Sequence, residues 1–206
     1  MNKKFLICFV FISTLTGCVT TQSISSADKV NVRAVVVDKT VTTPEKMYYL
    51  GPGGAAGLVF GAIGGALSAS GIEDSRSSFQ KEATGSEEAI RTIVAEELVA
   101  RIRESGKFPV IDSVTPDAKT IHFSVVEYGF SIPHGFSSKL VPILYIKCEM
   151  KDASGRVLWT GADRTMPLGN PVEAVDAETI RKDSAARDSA WRAAAKALAK
   201  NIVDGY

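Results

Sequence analysis

The stretch that decides the fold is Leu140 to Ala162, LVPILYIKCEMKDASGRVLWTGA. Its two apolar parts, Leu140 to Lys151 and Arg156 to Ala162, are rich in residues that favour β-strands. Between them lies Asp152-Ala-Ser-Gly155, and Asp and Gly are typical of a turn between antiparallel strands. The sequence therefore predicts a β-hairpin, with Trp159 in the core and packed against a helix.

Two predicted helices supply the apolar layer that such a hairpin needs. The first covers Glu87 to Ser105, with Thr84 and Glu87 as a capping box and Gly106 as its stop. The second is a long, alanine-rich helix over Asp176 to Val203. Apolar residues at helical spacing predict the buried stripes: Ile90, Ile93, Val94, Leu98 and Ile102 in the first, and Ile180, Trp191, Ala194, Leu198 and Ile202 in the second.

Three further strands complete the predicted sheet. The first is Val30 to Asp38, Lys107 to Asp112 is a short edge strand because of Pro109, and Thr120 to Tyr128 alternates well. In the first strand, one face is expected to carry Val30, Val32, Ala34 and Val36. Residues 30–206 thus predict one α+β domain: a mostly antiparallel sheet of four to five strands, two long helices on one face, and a Gly-rich apolar helix.

That Gly-rich segment, at 47–72, is the most unusual part of the chain. Its 26 residues carry no charge, and glycine recurs every four residues at Gly53, Gly57, Gly61 and Gly65. In a helix these positions share one face, so they form a groove that another backbone can approach closely. The pattern resembles the glycine zippers of envelope lipoproteins and membrane-inserting proteins. A helix over 53–70 would be about 27 Å long, close to the hydrocarbon thickness of about 30 Å.

Three interpretations of this segment stay open from the sequence. It inserts in a membrane or self-associates, it packs within its own domain, or it is a loop. The last is favoured by Gly-Pro-Gly-Gly at 51–54, which is a poor helix start. The candidate site residues of the segment are its four in-register glycines.

The N-terminus has the features of a signal peptide. Lys3 and Lys4 precede an apolar run from Phe5 to Ile12, and Leu15-Thr16-Gly17-Cys18 follows. This last sequence resembles the lipobox of bacterial lipoproteins, which implies that residues 1–17 are cleaved off and that Cys18 carries lipid. An ordinary secretory signal that ends near a cysteine is the alternative. In the lipoprotein family, an Asp directly after the lipidated cysteine signals retention in the inner membrane. This chain has Val19 there, which implies export to the outer membrane.

Residues 18–29 are predicted to be the lipidated cysteine and a flexible tether, because Val19 to Lys29 is polar and rich in Ser and Thr. Eleven residues reach at most about 36 Å. The globular domain is then expected on the periplasmic face of the outer membrane, held by a covalent lipid.

Charge and motifs argue against several functions. The chain has 24 basic residues, of which Lys3 and Lys4 leave with the signal peptide, against 23 acidic ones, so no nucleic-acid partner is predicted. His122 and His134 lack Cys or carboxylate neighbours at metal-ligand spacing, and no hydrolase, zinc-protease or P-loop motif occurs. We predict no catalytic residue, no metal and no cofactor. Cys148 is left alone and is predicted to be a small core residue rather than a reactive thiol.

The domain resembles small α/β envelope lipoproteins whose core is like the N-terminal domain of TolB. They include the curli-secretion lipoprotein CsgG, LpoB-type activators of peptidoglycan synthases, and auxiliary lipoproteins of ABC transporters. The resemblance rests on the Val-rich first strand, on Ser105-Gly-Lys-Phe-Pro-Val-Ile111, and on the hairpin sequence Asp152-Ala-Ser-Gly-Arg-Val-Leu-Trp159. CsgG-type pores cross the membrane with β-hairpins, whereas this chain offers a glycine zipper, so that pore mechanism does not transfer.

The function expected from these features is non-enzymatic. The chain is predicted to be an assembly or accessory factor that self-associates, as a homo-oligomer or in an envelope protein complex. The alternative is an oligomeric pore or a transport or secretion component that inserts the zipper segment in the membrane.

Overall fold

The computed structural model describes residues 21–52, 74, 76–135 and 137–206. The predicted signal peptide, Cys18 and the four zipper glycines Gly53, Gly57, Gly61 and Gly65 lie outside these residues. In chain order the elements are α1 Ser26–Val30, β1 Val35–Thr42, β2 Tyr48–Leu50, α2 Ser86–Ser105, β3 Lys119–Ser131, β4 Lys139–Lys151, β5 Val157–Arg164, β6 Val175–Asp176, α3 Ala177–Lys182 and α4 Ser184–Asp204.

The sheet is built around its two longest strands, β3 and β4, which pair antiparallel from Thr120 opposite Lys151 to Ser131 opposite Val141. β5 pairs antiparallel with β4, and β6 pairs antiparallel with the first two residues of β4. β1 and β2 both pair parallel with β3, one after the other along its length. The prediction of an α+β fold with a mostly antiparallel sheet is confirmed. The described residues form six strands rather than the predicted four to five. Two of the six are very short: β2 has three residues and β6 has two.

The predicted hairpin forms between β4 and β5. The Asp152 carboxylate accepts hydrogen bonds from the N–H groups of Ser154 and Arg156, and Gly155 has a φ of 84°. Trp159 on β5 is 2% exposed and contacts the rings of Phe108 and Tyr206. Its predicted core position is confirmed.

Helices α2 and α4 pack side by side on one face of the sheet, and the predicted apolar stripes are buried in both. Gly106 ends α2 at a φ of 62°, as predicted. The capping box is wrong, because α2 starts after Gly85 at a φ of 83° without a side-chain cap. The hydroxyl of Thr84 instead donates to the carbonyl of Lys81.

The single predicted helix over 176–203 is wrong, because the structure divides it into α3 and α4. Asp183 has an extended backbone, and its carboxylate accepts from the N–H groups of Ala185 and Ala186 at 2.8 and 3.2 Å. Asp side chains compete in this way for backbone groups that a continuous helix would use. Arg187 covers the break by donating to the carbonyl of Ile180 at 3.0 Å.

The first strand begins later than predicted and buries the other face. Ser25 caps α1 by accepting from the N–H of Asp28, so Val30 is helical and 74% exposed. In β1 the buried residues are Val35 and Val41, and not the even-numbered face. The predicted edge strand at 107–112 is reduced to a single parallel bridge between Val110 and Val35.

Candidate functional site

The N-terminal segment adds to the outer edge of β5. Gln22 donates its N–H to the Thr160 carbonyl at 2.9 Å, and the N–H of Thr160 donates to the Gln22 carbonyl at 3.0 Å. This is an antiparallel bridge. Where the sequence predicts a flexible tether over residues 18–29, the bridge and helix α1 place residues 22–29 against the domain.

Polar contacts fix α1 beyond the bridge. Arg156 in the hairpin contacts Asp28 at 2.8 Å, and Lys29 donates to the carbonyl of Tyr206 at 3.2 Å while lying 4.7 Å from the centre of its ring. The hydrogen bond from Arg156 lowers the pKa of the Asp28 carboxyl. Because Gln22 is held on β5, only three residues separate it from Cys18, and the four Cα–Cα steps reach at most about 14 Å. That is far less than the tether predicted from the sequence.

The first flank of the glycine segment is closely packed. β2 ends at Leu50, whose carbonyl accepts the N–H of Ile132 at 2.9 Å. Tyr49 stacks on Phe79 with ring centroids 4.3 Å apart, and its burial raises the pKa of its hydroxyl. A Cβ on Gly51 would lie 2.3 Å from that hydroxyl. A side chain at position 51 would therefore force the Tyr49 ring to shift.

A cavity of about 590 Å³ lies between residues on either side of the glycine segment, and its lining includes Pro52, Asp74, Ser138 and Arg181. Arg181 contacts Glu82 through two hydrogen bonds of 2.8 and 2.7 Å. This pairing lowers the pKa of the Glu82 carboxyl and raises that of the Arg181 guanidinium. The Arg181 guanidinium at the cavity wall is thus already paired with the Glu82 carboxylate.

The sheet face opposite the helices carries a polar row across adjacent strands. The Nδ1 atom of His122 is 3.1 Å from a carboxylate oxygen of Asp38, and Glu149 lies opposite His122 on β4. Glu149 contacts Lys147 at 2.6 Å and Lys151 at 3.0 Å. The pKa of Asp38 is lowered chiefly by the Thr40 N–H, and that of Glu149 chiefly by Lys147. Glu149 thus forms ion pairs with both lysines, and all five side chains of the row are partly exposed.

Other residues noted in the sequence lie in the core or in an exposed loop. Cys148 is buried on β4, and burial raises the pKa of its thiol, so its predicted core role is confirmed. His134 is exposed in the β3–β4 loop. Asp163 at the end of β5 accepts a hydrogen bond from Asn201 of α4 at 2.8 Å.

No group of three or more His, Cys, Asp or Glu side chains within residues 21–52, 74, 76–135 and 137–206 is arranged to hold a metal ion. Over the same ranges, no helix combines the length and the apolar character that a membrane crossing requires.

Comparison with known proteins gives only distant similarities. No family model matches the chain, and no curated protein matches it. Among solved structures, a DUF330 protein from Xanthomonas campestris is similar at 15% identity and a TM-score of 0.38, with 55% of this chain covering 58% of that one. The PelC dodecamer from Paraburkholderia phytofirmans is similar at 12% identity and a TM-score of 0.30, with 81% of this chain covering 86% of that one.

Proposed function

We propose that this chain is a lipid-anchored protein of the bacterial cell envelope that acts by docking and self-association, as an assembly or accessory factor without enzymatic activity. Its lipid is carried on Cys18, at the periplasmic face of the outer membrane. The observation that carries the proposal is Leu15-Thr16-Gly17-Cys18, followed only a few residues later by the attachment of Gln22 to β5.

The short connection gives the anchor a physical consequence. Lipid chains bury about 0.8 kcal/mol per CH₂ in the bilayer, so an acylated Cys18 is released very slowly. With the bridge at Gln22 in place, Gln22 stays within about 14 Å of Cys18, which keeps the domain close to the membrane surface. A partner complex in the same membrane would then meet the domain at a short, limited distance from the bilayer.

The anchor is tested by Cys18→Ser. Metabolic labelling with a palmitate analogue is expected to mark the wild-type protein, and the variant should remain unlabelled and accumulate as uncleaved precursor. A labelled variant, or a wild type that never takes up the label, would contradict the proposal.

Self-association is assigned to the glycine register at 53–65. Replacing both Gly57 and Gly61 with Leu should separate a close helix contact, whereas the matched Ala substitutions should be mild. Mass in detergent and thermal stability are measured on both variants. Loss of the oligomer with an unchanged Tm supports contact between protomers, and a loss of stability instead places the contact within one protomer. Unchanged mass and Tm in the Leu variant would contradict helix packing.

The second candidate is an oligomeric pore or transport component that inserts the same segment in the membrane. It is favoured by the 26 uncharged residues at 47–72. Purified lipidated protein in dye-loaded vesicles separates the two functions. Dye leakage that disappears with Gly57→Leu/Gly61→Leu supports the pore, and intact vesicles that carry the oligomer support the docking protein.

A further inference from the structure

Two described loops at one end of the sheet carry no Asp, Glu, Lys or Arg. They are residues 132–135 with 137–138, between β3 and β4, and residues 165–172, after β5. Their neighbours hold them together: Ser131 pairs with Val141, Thr165 donates its N–H to Leu144 at 2.9 Å, and Asn170 donates to the Pro142 carbonyl at 2.8 Å. We call these two loops the uncharged end.

The loop at 165–172 exposes apolar side chains from a fixed backbone. Leu168 is 77% exposed and Met166 is 48% exposed. Thr165 is buried, and its hydroxyl donates to the Pro142 carbonyl at 2.9 Å, while Gly169 makes the turn at a φ of 71°. Large apolar side chains held out from an uncharged surface mark a contact with lipid or with protein.

The direction of the N-terminal segment distinguishes between lipid and protein. The Gln22 bridge is antiparallel to β5, so the chain before Gln22 is directed toward the end of β5 at Arg164, where the uncharged loop begins. The residues after Gln22 run the other way, to the contact of Asp28 with Arg156 in the hairpin. Cys18 precedes Gln22 by four Cα–Cα steps, so a chain anchored there is held within about 14 Å of the bridge, which Thr21 enters from the side of the uncharged end.

The opposite end of the sheet is unsuited to lipid. The β4–β5 turn and α1 carry Lys151, Asp152, Arg156, Asp28 and Lys29. Moving such charges from water into a bilayer is costly, and loops without charged side chains avoid this cost. The charged residues that flank the uncharged loops in the sequence are Lys139, Arg164 and Glu173, two basic and one acidic.

We propose that the uncharged end is a second membrane contact, in which Met166 and Leu168 enter the headgroup boundary of the bilayer that holds Cys18. This inference rests on the proposed lipid anchor. It adds an orientation: the loops face the membrane, and the β4–β5 turn and α1 face away from it.

The test uses the full lipidated chain in vesicles of phosphatidylethanolamine and phosphatidylglycerol. Leu168→Cys is labelled with an environment-sensitive fluorophore. Val114→Cys is the matched control, because Val114 is 82% exposed and lies just before the start of β3. Cys148 is buried and stays unlabelled. The label at 168 should shift its emission to the blue and be quenched by a lipid-borne quencher, and the label at 114 should show neither effect.

Three other outcomes overturn the inference. Labels at 168 and 114 that both report water show that the loops do not touch the membrane, and equal quenching of both shows no orientation. A blue shift at 168 without lipid quenching shows a contact with a second copy of the protein. Mass spectrometry of the same sample measures the lipid on Cys18, so a lipid-free protein refutes the proposed anchor itself, whereas a lipidated protein with water-exposed loops refutes only this inference.

Discussion

The two ends of the sheet hold their loops in different ways. At the end formed by the β4–β5 turn and α1, which we call the charged end, carboxylates organise the backbone: Asp152 closes the turn and Asp28 contacts Arg156. At the uncharged end, neutral groups organise the backbone, since Thr165 and Asn170 both donate to the Pro142 carbonyl. Exposed ion pairs weaken in salt and acid, whereas buried hydrogen bonds between neutral groups do not depend on charge. The two ends should therefore respond differently to the same perturbation.

The largest expected effect comes from removing the tryptophan of each end. Trp191 is fully buried against Tyr128 and Phe130, and its indole N–H donates to the Gly129 carbonyl at 3.2 Å. Trp159 packs near the charged end. Each Trp→Ala change should lower the free energy of unfolding by about 3–5 kcal/mol.

Trp191→Ala should lie at the upper end of that range, because it also removes a buried hydrogen bond. Urea unfolding of both variants followed by circular dichroism provides the measurement. A Trp159→Ala protein that melts like wild type would show that its side chain is not part of the core.

An intermediate effect is expected from a matched pair of glycines. Gly129 at the uncharged end has a φ of 150°, and a Cβ there would lie 1.8 Å from the Tyr48 carbonyl oxygen. Gly155 in the turn has a φ of 84° and open space around it. Gly129→Ala should cost about 2–3 kcal/mol because β2 has to move, and Gly155→Ala about 1 kcal/mol from backbone strain alone.

Thermal unfolding of the two alanine variants ranks these costs. Equal shifts in Tm would mean that β2 yields without loss, and that its pairing with β3 contributes little to stability.

The smallest effect is expected from acid, and it should be confined to the charged end. Hydrogen bonds from Ser154 and Arg156 lower the pKa of Asp152 from 3.8 to about 2, and Arg156 lowers that of Asp28. A carboxyl with a lowered pKa in the folded state favours folding above its unfolded pKa and loses this contribution as the pH falls. The contribution of Asp152 should therefore be complete above about pH 5 and disappear between pH 4 and 2.

Amide hydrogen exchange, corrected for its intrinsic pH dependence, can follow this local loss. Protection of the Thr160 N–H, which is bound to Gln22 beside α1, should fall over that range, while protection of the Leu144 N–H, which is bound to the Thr165 hydroxyl, should not. A parallel loss at both amides would mean that acid unfolds the sheet as a whole.

Periodic patterns predicted most of the core from the sequence. The stripes of the two long helices and the turn at Asp152–Gly155 depend only on local spacing, and all were found where expected. Helix α1 was missed although Ser25 and Asp28 form an N-terminal capping pattern. The parallel pairing of β1 and β2 with β3 joins segments far apart in the chain, and no local pattern encodes it.

The candidate site was less predictable for a physical reason. The bridge from Gln22 to Thr160 uses only backbone groups, which any residue type provides, so no side-chain signal marks it. The uncharged end is visible in the sequence only as two short gaps in charge, at 132–138 and 165–172. The structure joins them because both loops are bound to the start of β4.

The attachment of Gln22 to β5 also has a mechanical consequence for a chain held at Cys18. With the proposed lipid on Cys18, a force that pulls the domain away from the membrane acts first on the two hydrogen bonds of the bridge, on the contact of Asp28 with Arg156 and on that of Lys29 with Tyr206. Their rupture would free the residues before Ala34, whose carbonyl accepts the N–H of Lys119, and lengthen the link from about 14 Å to about 56 Å without unfolding the sheet. The segment would act as an extensible coupling, short at rest and long under load, and it would re-form when the tension is released.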